Sequence, residues 1–325
     1  MQNTQETPPK TSILSENLFL IIKWVVFALI FIILFKTLQQ KQENIYSLIR
    51  EFQGISIQEN LHYFVFIIGL ITLNWGFEAK KWQILARKIE NITFIDAYQS
   101  VLVGLTLGFI SPANLGDFAG RLMKLKSKNR SEGIGSILLG NGIQFYVSII
   151  FGVIAYGVIS SKNISIFDQI IFWLLIFILI LGVFVFLFRQ RITLFLSDFQ
   201  WVKRYENHLK AITEFDLGEF RTVFFWSVLR YLTFSIQFVL VLIIFQIDIS
   251  LFELWAISCL VLLFKTIIPP INFLSDLGVR EFSALHFFSL YSVQTSSVVT
   301  ATFFLWLINI LLPVIIGGFL FFKSK

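Results

Sequence analysis

Residues 97–121 read AYQSVLVGLTLGFISPANLGDFAGR. The apolar run from Ala97 to Ile110 holds only 14 residues, short of the roughly 20 a helix needs to cross about 30 Å of hydrocarbon. Ser111-Pro112 then interrupts it, because proline lacks a backbone donor and disfavours helix in the residue before it. Basic clusters flank the segment, with Lys80, Lys81, Arg87 and Lys88 on one side and Arg121, Lys124, Lys126, Lys128 and Arg130 on the other. Lys and Arg collect on the cytoplasmic side of membranes. Both ends are therefore expected there, with the run entering the bilayer and returning as a broken helical hairpin.

The pattern recurs further on. Leu251 to Ile268 stops at Pro269-Pro270, a polar turn passes through Asn272, Ser275, Asp276 and Gly278, and a short apolar arm follows from Phe282 to Tyr291. Non-helical backbone at membrane depth survives only where protein or water satisfies it. In each break the expected structural residues are prolines and glycines: Pro112 and Gly116 in the first, Pro269, Pro270 and Gly278 in the second.

Around these hairpins lie long apolar stretches at 17–37, 61–79, 133–160, 167–188, 219–247 and 297–322. The chain is 56% hydrophobic and 14% charged, with a mean hydropathy of +0.79, where a soluble domain holds about a quarter charged residues. The expected fold class is all-α integral membrane: a polytopic helix bundle of about six full spans plus two broken hairpins. A single membrane domain over 1–325 is expected, without a soluble catalytic domain. The 39 phenylalanines read as lipid-facing bulk.

A third basic cluster, Arg189, Arg191, Lys203, Arg204 and Lys210, also belongs inside by the charge rule. If the second hairpin enters from the outer side, both termini are cytoplasmic and the halves 1–160 and 161–325 have opposite orientation. Such inverted repeats, each with a discontinuous helix, place transporter substrate sites near the midplane. The expected location is the inner membrane of a bacterium or archaeon. The polar stretch 38–60, expected outside, has Ile45, Leu48, Ile49 and Phe52 at helical spacing, and the loop 189–218, expected in the cytoplasm, sets apolar residues against charges; both are expected to hold interfacial helices of architectural role.

Several function classes lose support. Residues 1–16 are polar and Phe35-Lys36-Thr37 offers no cleavage site, so the first span is expected to stay as an anchor. One cysteine, Cys259, permits neither an internal disulfide nor a thiolate cluster. His62, His208 and His286 are scattered, and no zinc-protease, nucleophile-elbow or Walker signature occurs. No metal or cofactor is expected. The net charge of +6 follows the membrane spans, not one polar face, so no nucleic acid is expected as a partner.

Asp117 and Arg121 are four residues apart, a spacing that pairs them on one helix face. The pair either fixes the hairpin tip or presents the guanidinium to a lipid phosphate. In the second break, Leu277 to Glu281 is expected to open the returning helix, setting free N–H groups beside Arg280 as an anion seat; Glu281 there is either a ligand or a favourable first-turn charge. Arg230 lies too deep in its span to reach the surface and needs a carboxylate, with Asp117, Glu253 and Asp276 as candidates. Lys265 either lines a cavity or snorkels. Lys23 lies near a helix end and is expected to snorkel. Asn141, Gln144, Gln237 and Asn309 are expected as hydrogen-bonding glue between helices.

From about Ala79 to the last span, the chain resembles the flippase-like membrane proteins that share the transmembrane region of lysylphosphatidylglycerol synthases. The Lys-Trp-x-x-Leu stretch at Lys81 to Leu85, the element Pro112 to Arg121 and the Leu-Gly-Val-Arg-Glu element at Leu277 to Glu281 carry the likeness. It implies a translocator of an aminoacylated or glycosylated lipid, or an accessory role in lipid modification beside a separate lipid-modifying enzyme. Asp117 stands where the family usually has glutamate, Gly140 to Gln144 replaces a charged element, and Ser275-Asp276 replaces a double glycine. No aminoacyl-transferase domain follows before Lys325, so lysyl transfer by this chain alone is not expected. A lipid translocator is the leading expectation, with membrane lipids as partners. The alternatives are a membrane-embedded transferase using Asp117 or Glu281 as general base, and a scaffold for a synthase.

Overall fold

A computed structural model describes residues 45–127, 132–160, 165–188, 191–192, 195, 215–268 and 273–323, and the described residues are helical without strands. Five stretches are long and apolar enough to cross a membrane: α2 (Ile57–Ala86), α5 (Gly133–Ile159), α6 (Ile166–Leu187), α7 (Leu217–Ile244) and the final stretch Thr295–Phe321. They coincide with five of the six runs read from the sequence; the sixth, 17–37, lies outside the described residues, as do Lys23 and most of 189–218. The protein is a multi-pass helical membrane protein.

In α2, the buried residues Ile67, Ile71, Trp75, Glu78, Trp82 and Leu85 recur at three- and four-residue intervals. That period places them on one stripe of the helix, and a single glutamate sits in the middle of it. The stripe packs against α7, whose start is fixed by a capping box between Asp216 and Glu219.

The first broken hairpin forms as the proline pattern predicts. Helix α3 (Phe94–Ile110) ends before a 3-10 turn at Pro112–Asn114, and α4 (Leu115–Met123) returns. The left-handed residues of the turn are Ala113 and Asn114, at φ 54° and 56°, not the expected glycine. Gly116 lies inside α4, where a side-chain carbon would collide with the Leu107 carbonyl; likewise one at Gly120 would strike the Gly104 backbone. The glycines thus serve close helix contact, Gly104-x-x-x-Gly108 facing Gly116-x-x-x-Gly120.

The second hairpin comprises α8 (Leu251–Ile267) and α9 (Phe273–Phe288). Pro269 and Pro270 lie between them, outside the described residues. Here the sequence expectation needs correction. Helix α9 starts at Phe273, so Gly278 is within a helix and not a break, and the returning arm includes residues expected in the polar turn. An Asp at position 276 favours the first turn of a helix, which lets it begin one turn earlier than the start expected at Leu277.

Helix α5 packs along α8, and α11 (Leu312–Lys323) packs along α3. Each hairpin is therefore held by the closing span of the other half. The second contact uses Gly317, set against the Leu102 carbonyl, and a hydrogen bond from Thr106 Oγ1 to the Val314 carbonyl at 2.7 Å. The final span is not uniform: α10 (Thr295–Trp306) passes through a π turn at Leu307–Leu311 before α11. Pro313 explains the turn, because it lacks the N–H that would bond the Asn309 carbonyl four residues back. The N–H of Leu312 bonds the Leu307 carbonyl instead, five residues back.

The stretch at 45–52 is helical, as part of α1 (Ile45–Gly54), and packs on α10. Glu51 accepts hydrogen bonds from Ser296 and Ser297 at 3.1 and 3.0 Å. Phenylalanines do not all face lipid: Phe238, Phe287 and Phe288 are in the core.

Candidate functional site

A carboxylate in the buried stripe of a membrane helix is costly unless it is paired. Glu78 is paired three times. Its oxygens lie 2.9 Å from Lys81 Nζ, 2.7 Å from Arg121 Nη1 and 3.0 Å from Arg230 Nη1, while its side chain is only 3% exposed. Lys81 arrives from the next turn of α2, Arg121 from the first hairpin and Arg230 from α7. The guanidinium of Arg230 also lies over the Trp75 ring, 5.4 Å from its centre.

Asp117 and Arg121 form the ion pair that their spacing predicts, at 2.9 Å. The arginine thus bridges two carboxylates, its own hairpin's Asp117 and Glu78 of α2. Arg230 takes none of its three candidate partners. Glu78 reaches it first because α2 and α7 pack directly, whereas Glu253 is at the first turn of α8, bonded by the Ser250 hydroxyl at 2.6 Å.

A second cluster forms on the other hairpin. Asp276 lies 3.3 Å from Lys265 Nζ and 3.1 Å from Arg280 Nη2. Lys265 and Arg280 both face the ring of Phe234, at 5.9 and 5.7 Å. Because α9 starts at Phe273, Arg280 and Glu281 stand about two turns into the helix and not at its N-terminus. The anion seat expected beside Arg280 is therefore absent from that position. Arg280 is fully buried behind Asp276, and Glu281 is buried as well; neither belongs to the wall of the central cavity.

That cavity has a volume of about 630 Å3 and takes its wall from both hairpins. Asp117 and Arg121 come from the first, Lys265 and Asp276 from the second, Glu78 from α2 and Arg230 from α7. On one side the wall is formed by Leu138, Asn141, Gly142 and Phe145 of α5 and by Asn114 of the first turn, all of them exposed. The cavity thus opens sideways, between the turn of the first hairpin and α5. Five cationic side chains, Lys81, Arg121, Arg230, Lys265 and Arg280, stand against three carboxylates in the two clusters. With buried Glu281 added, a positive charge is still in excess.

Sequence reasoning missed Glu78, and it counted Lys81 among loop cations although its side chain is 1% exposed. An acid inside an apolar stripe, three residues before a lysine, was the available signal. Gln144, where a charged element is replaced, accepts from Lys81 at 3.0 Å and donates to the Ser227 carbonyl at 3.3 Å. Gln237 and Asn309 bond each other at 2.6 Å between α7 and the π turn. Asn141 lines the open side of the cavity.

No curated protein matches the chain. The family model described as the lysylphosphatidylglycerol synthase TM region matches residues 20–317. All three elements that carry the sequence resemblance fall inside that range, and Lys81, Asp117, Arg121 and Arg280 from them enter the two charge clusters. The chain belongs to the family of the lysylphosphatidylglycerol synthase transmembrane region.

Proposed function

We propose that the protein moves a lipid with an anionic head group between leaflets, the head group passing through the central cavity while its acyl chains stay in the bilayer. One observation carries this: a cavity walled by both broken hairpins, open sideways on α5, whose two ion clusters hold more cations than carboxylates. Each cation has a carboxylate partner but shares it, and a net positive charge away from water is costly; an anion entering the cavity relieves that cost. Glu78 keeps two cations if any one is removed, and Asp276 keeps one. The surplus is thus more than neutralising those carboxylates requires.

The side opening favours a lipid over a soluble solute. Asn141 is eight residues beyond Gly133, about 12 Å along the helix axis. A head group entering there leaves its tails against the apolar face of α5. In this proposal the halves 1–160 and 161–325 are an inverted repeat with both termini cytoplasmic. The first hairpin then dips from the cytoplasmic face and the second from the outer face.

The test is translocation of an acyl-labelled anionic phospholipid in proteoliposomes, read by dithionite quenching of the label. Wild-type protein is expected to expose inner-leaflet label well above protein-free vesicles. Arg121→Gln, Arg230→Gln and Lys265→Gln, at equal folded yield, are each expected to slow it at least about tenfold, the loss of one charge-assisted contact. Wild-type rates equal to those of empty vesicles, or full rates in all three variants, would overturn the assignment.

A further inference from the structure

Within the same cavity, two acceptors await a donor. Gln237 Nε2 donates to the Ile67 carbonyl at 3.2 Å, which leaves Gln237 Oε1 to accept from Asn309 Nδ2 at 2.6 Å. This chain of bonds fixes which way the Asn309 amide points. Its Oδ1 is left buried with no hydrogen-bond partner, in a residue that lines the cavity and is 1% exposed. Asn74 repeats the condition: it lines the cavity, is 2% exposed, and its Oδ1 has no partner. A buried acceptor without a donor loses its hydration without return. Two of them in one cavity wall point to a ligand that brings donors.

Asn74 lies one turn from Glu78 on the same face of α2, so the acceptor end begins about 5–6 Å from the first cation cluster. A phosphate among the cations and a hydroxyl two or three carbons away span that gap. An ammonium would satisfy the same carbonyls, but it would lie against two ion clusters whose cations, with Lys81 and Arg280 behind the wall, already outnumber their carboxylates. Arg230 Nε, a donor without a partner on the same wall, matches a phosphate oxygen.

Resting on the proposed lipid function, we infer that Asn74 and Asn309 form a hydroxyl subsite, and that the cargo is a phosphodiester lipid with a neutral polyol head group, not an aminoacylated, cationic one.

The test is competition against an acyl-labelled phosphatidylglycerol bound to the purified full chain in micelles, using unlabelled lipids of identical acyl chains. Phosphatidylglycerol is expected to compete about tenfold better than phosphatidylmethanol, which has the phosphodiester but no hydroxyl. Lysylphosphatidylglycerol is expected to compete more weakly than phosphatidylglycerol, and soluble glycerol 3-phosphate not to compete at millimolar levels. In Asn309→Leu, and independently in Asn74→Leu, the tenfold preference is expected to shrink to within about twofold. Equal competition by phosphatidylglycerol and phosphatidylmethanol on wild-type protein overturns the hydroxyl subsite alone. Tighter binding of the lysylated lipid overturns the neutral-head-group assignment, and competition by glycerol phosphate overturns its lipid form. If no anionic lipid binds, the translocation proposal falls with it. The wild-type comparisons decide these points even if a variant fails to fold.

Discussion

Arg230 of α7 and Glu78 of α2 meet at 3.0 Å, joining one span from each half of the chain through a single carboxylate. The same carboxylate takes Arg121 from the first hairpin at 2.7 Å. Three separate elements are thus tied at one buried point. Apolar packing between α2 and α7 brings them together, but it is indifferent to small rotations of either helix. The ion cluster is not, since its hydrogen bonds need one register.

Removing Glu78 should therefore cost far more than removing any one of its partners. Glu78→Gln strands three cations, Lys81, Arg121 and Arg230, of which only Arg121 keeps a carboxylate, Asp117. Breaking a buried pair from one side costs about 3–5 kcal/mol. The expected result is loss of folded protein in detergent, or a steep fall in its thermal midpoint. Arg230→Gln should be milder, because Glu78 retains two partners. A Glu78→Gln protein as stable as wild type would show that the cluster does not hold the helices.

The glycine contacts of the first hairpin give a second expectation. A leucine at Gly120 must push α4 off the backbone of Gly104, and overpacking of this kind costs about 1–3 kcal/mol or more. Gly120→Leu should lower the thermal midpoint and also loosen Arg121, the next residue, from Glu78. Unchanged stability in this variant would contradict the close helix approach.

Much of this was legible in the residues. Five of the apolar runs became spans, and Ser111-Pro112 marked the end of α3 where it lies. The Asp117–Arg121 pair followed from its spacing. What stayed hidden was tertiary. Lys81 sits in a basic cluster that resembles any cytoplasmic loop, and it is buried only in the packed bundle, where Gln144 of α5 reaches it. Glu78 was obscured by the same cluster. The start of α9 was misplaced because Asp276 and Gly278 read as a polar turn, while in the fold Asp276 is neutralised by Lys265 and Arg280. With its charge paired, that stretch is free to be helix.

Gly142 separates transport from stability. It lines the open side of the cavity, and a side-chain carbon there meets nothing within 4 Å. Gly142→Trp should change stability by no more than about 0.5 kcal/mol, as for surface substitutions generally. The indole should nonetheless obstruct the passage between α5 and the first hairpin. Translocation of the labelled lipid is expected to fall at least about tenfold, roughly 1.4 kcal/mol in the barrier. A variant that folds normally and transports at the wild-type rate would place the entrance elsewhere.

Pro313 offers the most selective probe of the hydroxyl subsite, because it acts on Asn309 without touching the cavity. Proline at 313 denies the Asn309 carbonyl its α-helical donor, and the chain answers with the π turn at Leu307–Leu311. That turn sets the rotation at which Asn309 reaches Gln237. Pro313→Ala restores the missing N–H, so the span can wind as continuous α-helix, and the extra residue of the π turn is lost to the register. A shift of one residue turns a side chain by about 100° around the axis, enough to carry Asn309 away from both Gln237 and the cavity. Stability should change little, since the better helix residue and the regained backbone bond offset the lost bond between Asn309 and Gln237. The preference for phosphatidylglycerol over phosphatidylmethanol should fall towards equality at the same time. Lost selectivity at retained stability would distinguish a displaced ligand group from general damage to the fold, whereas a variant that keeps the full preference would show that the π turn does not position Asn309.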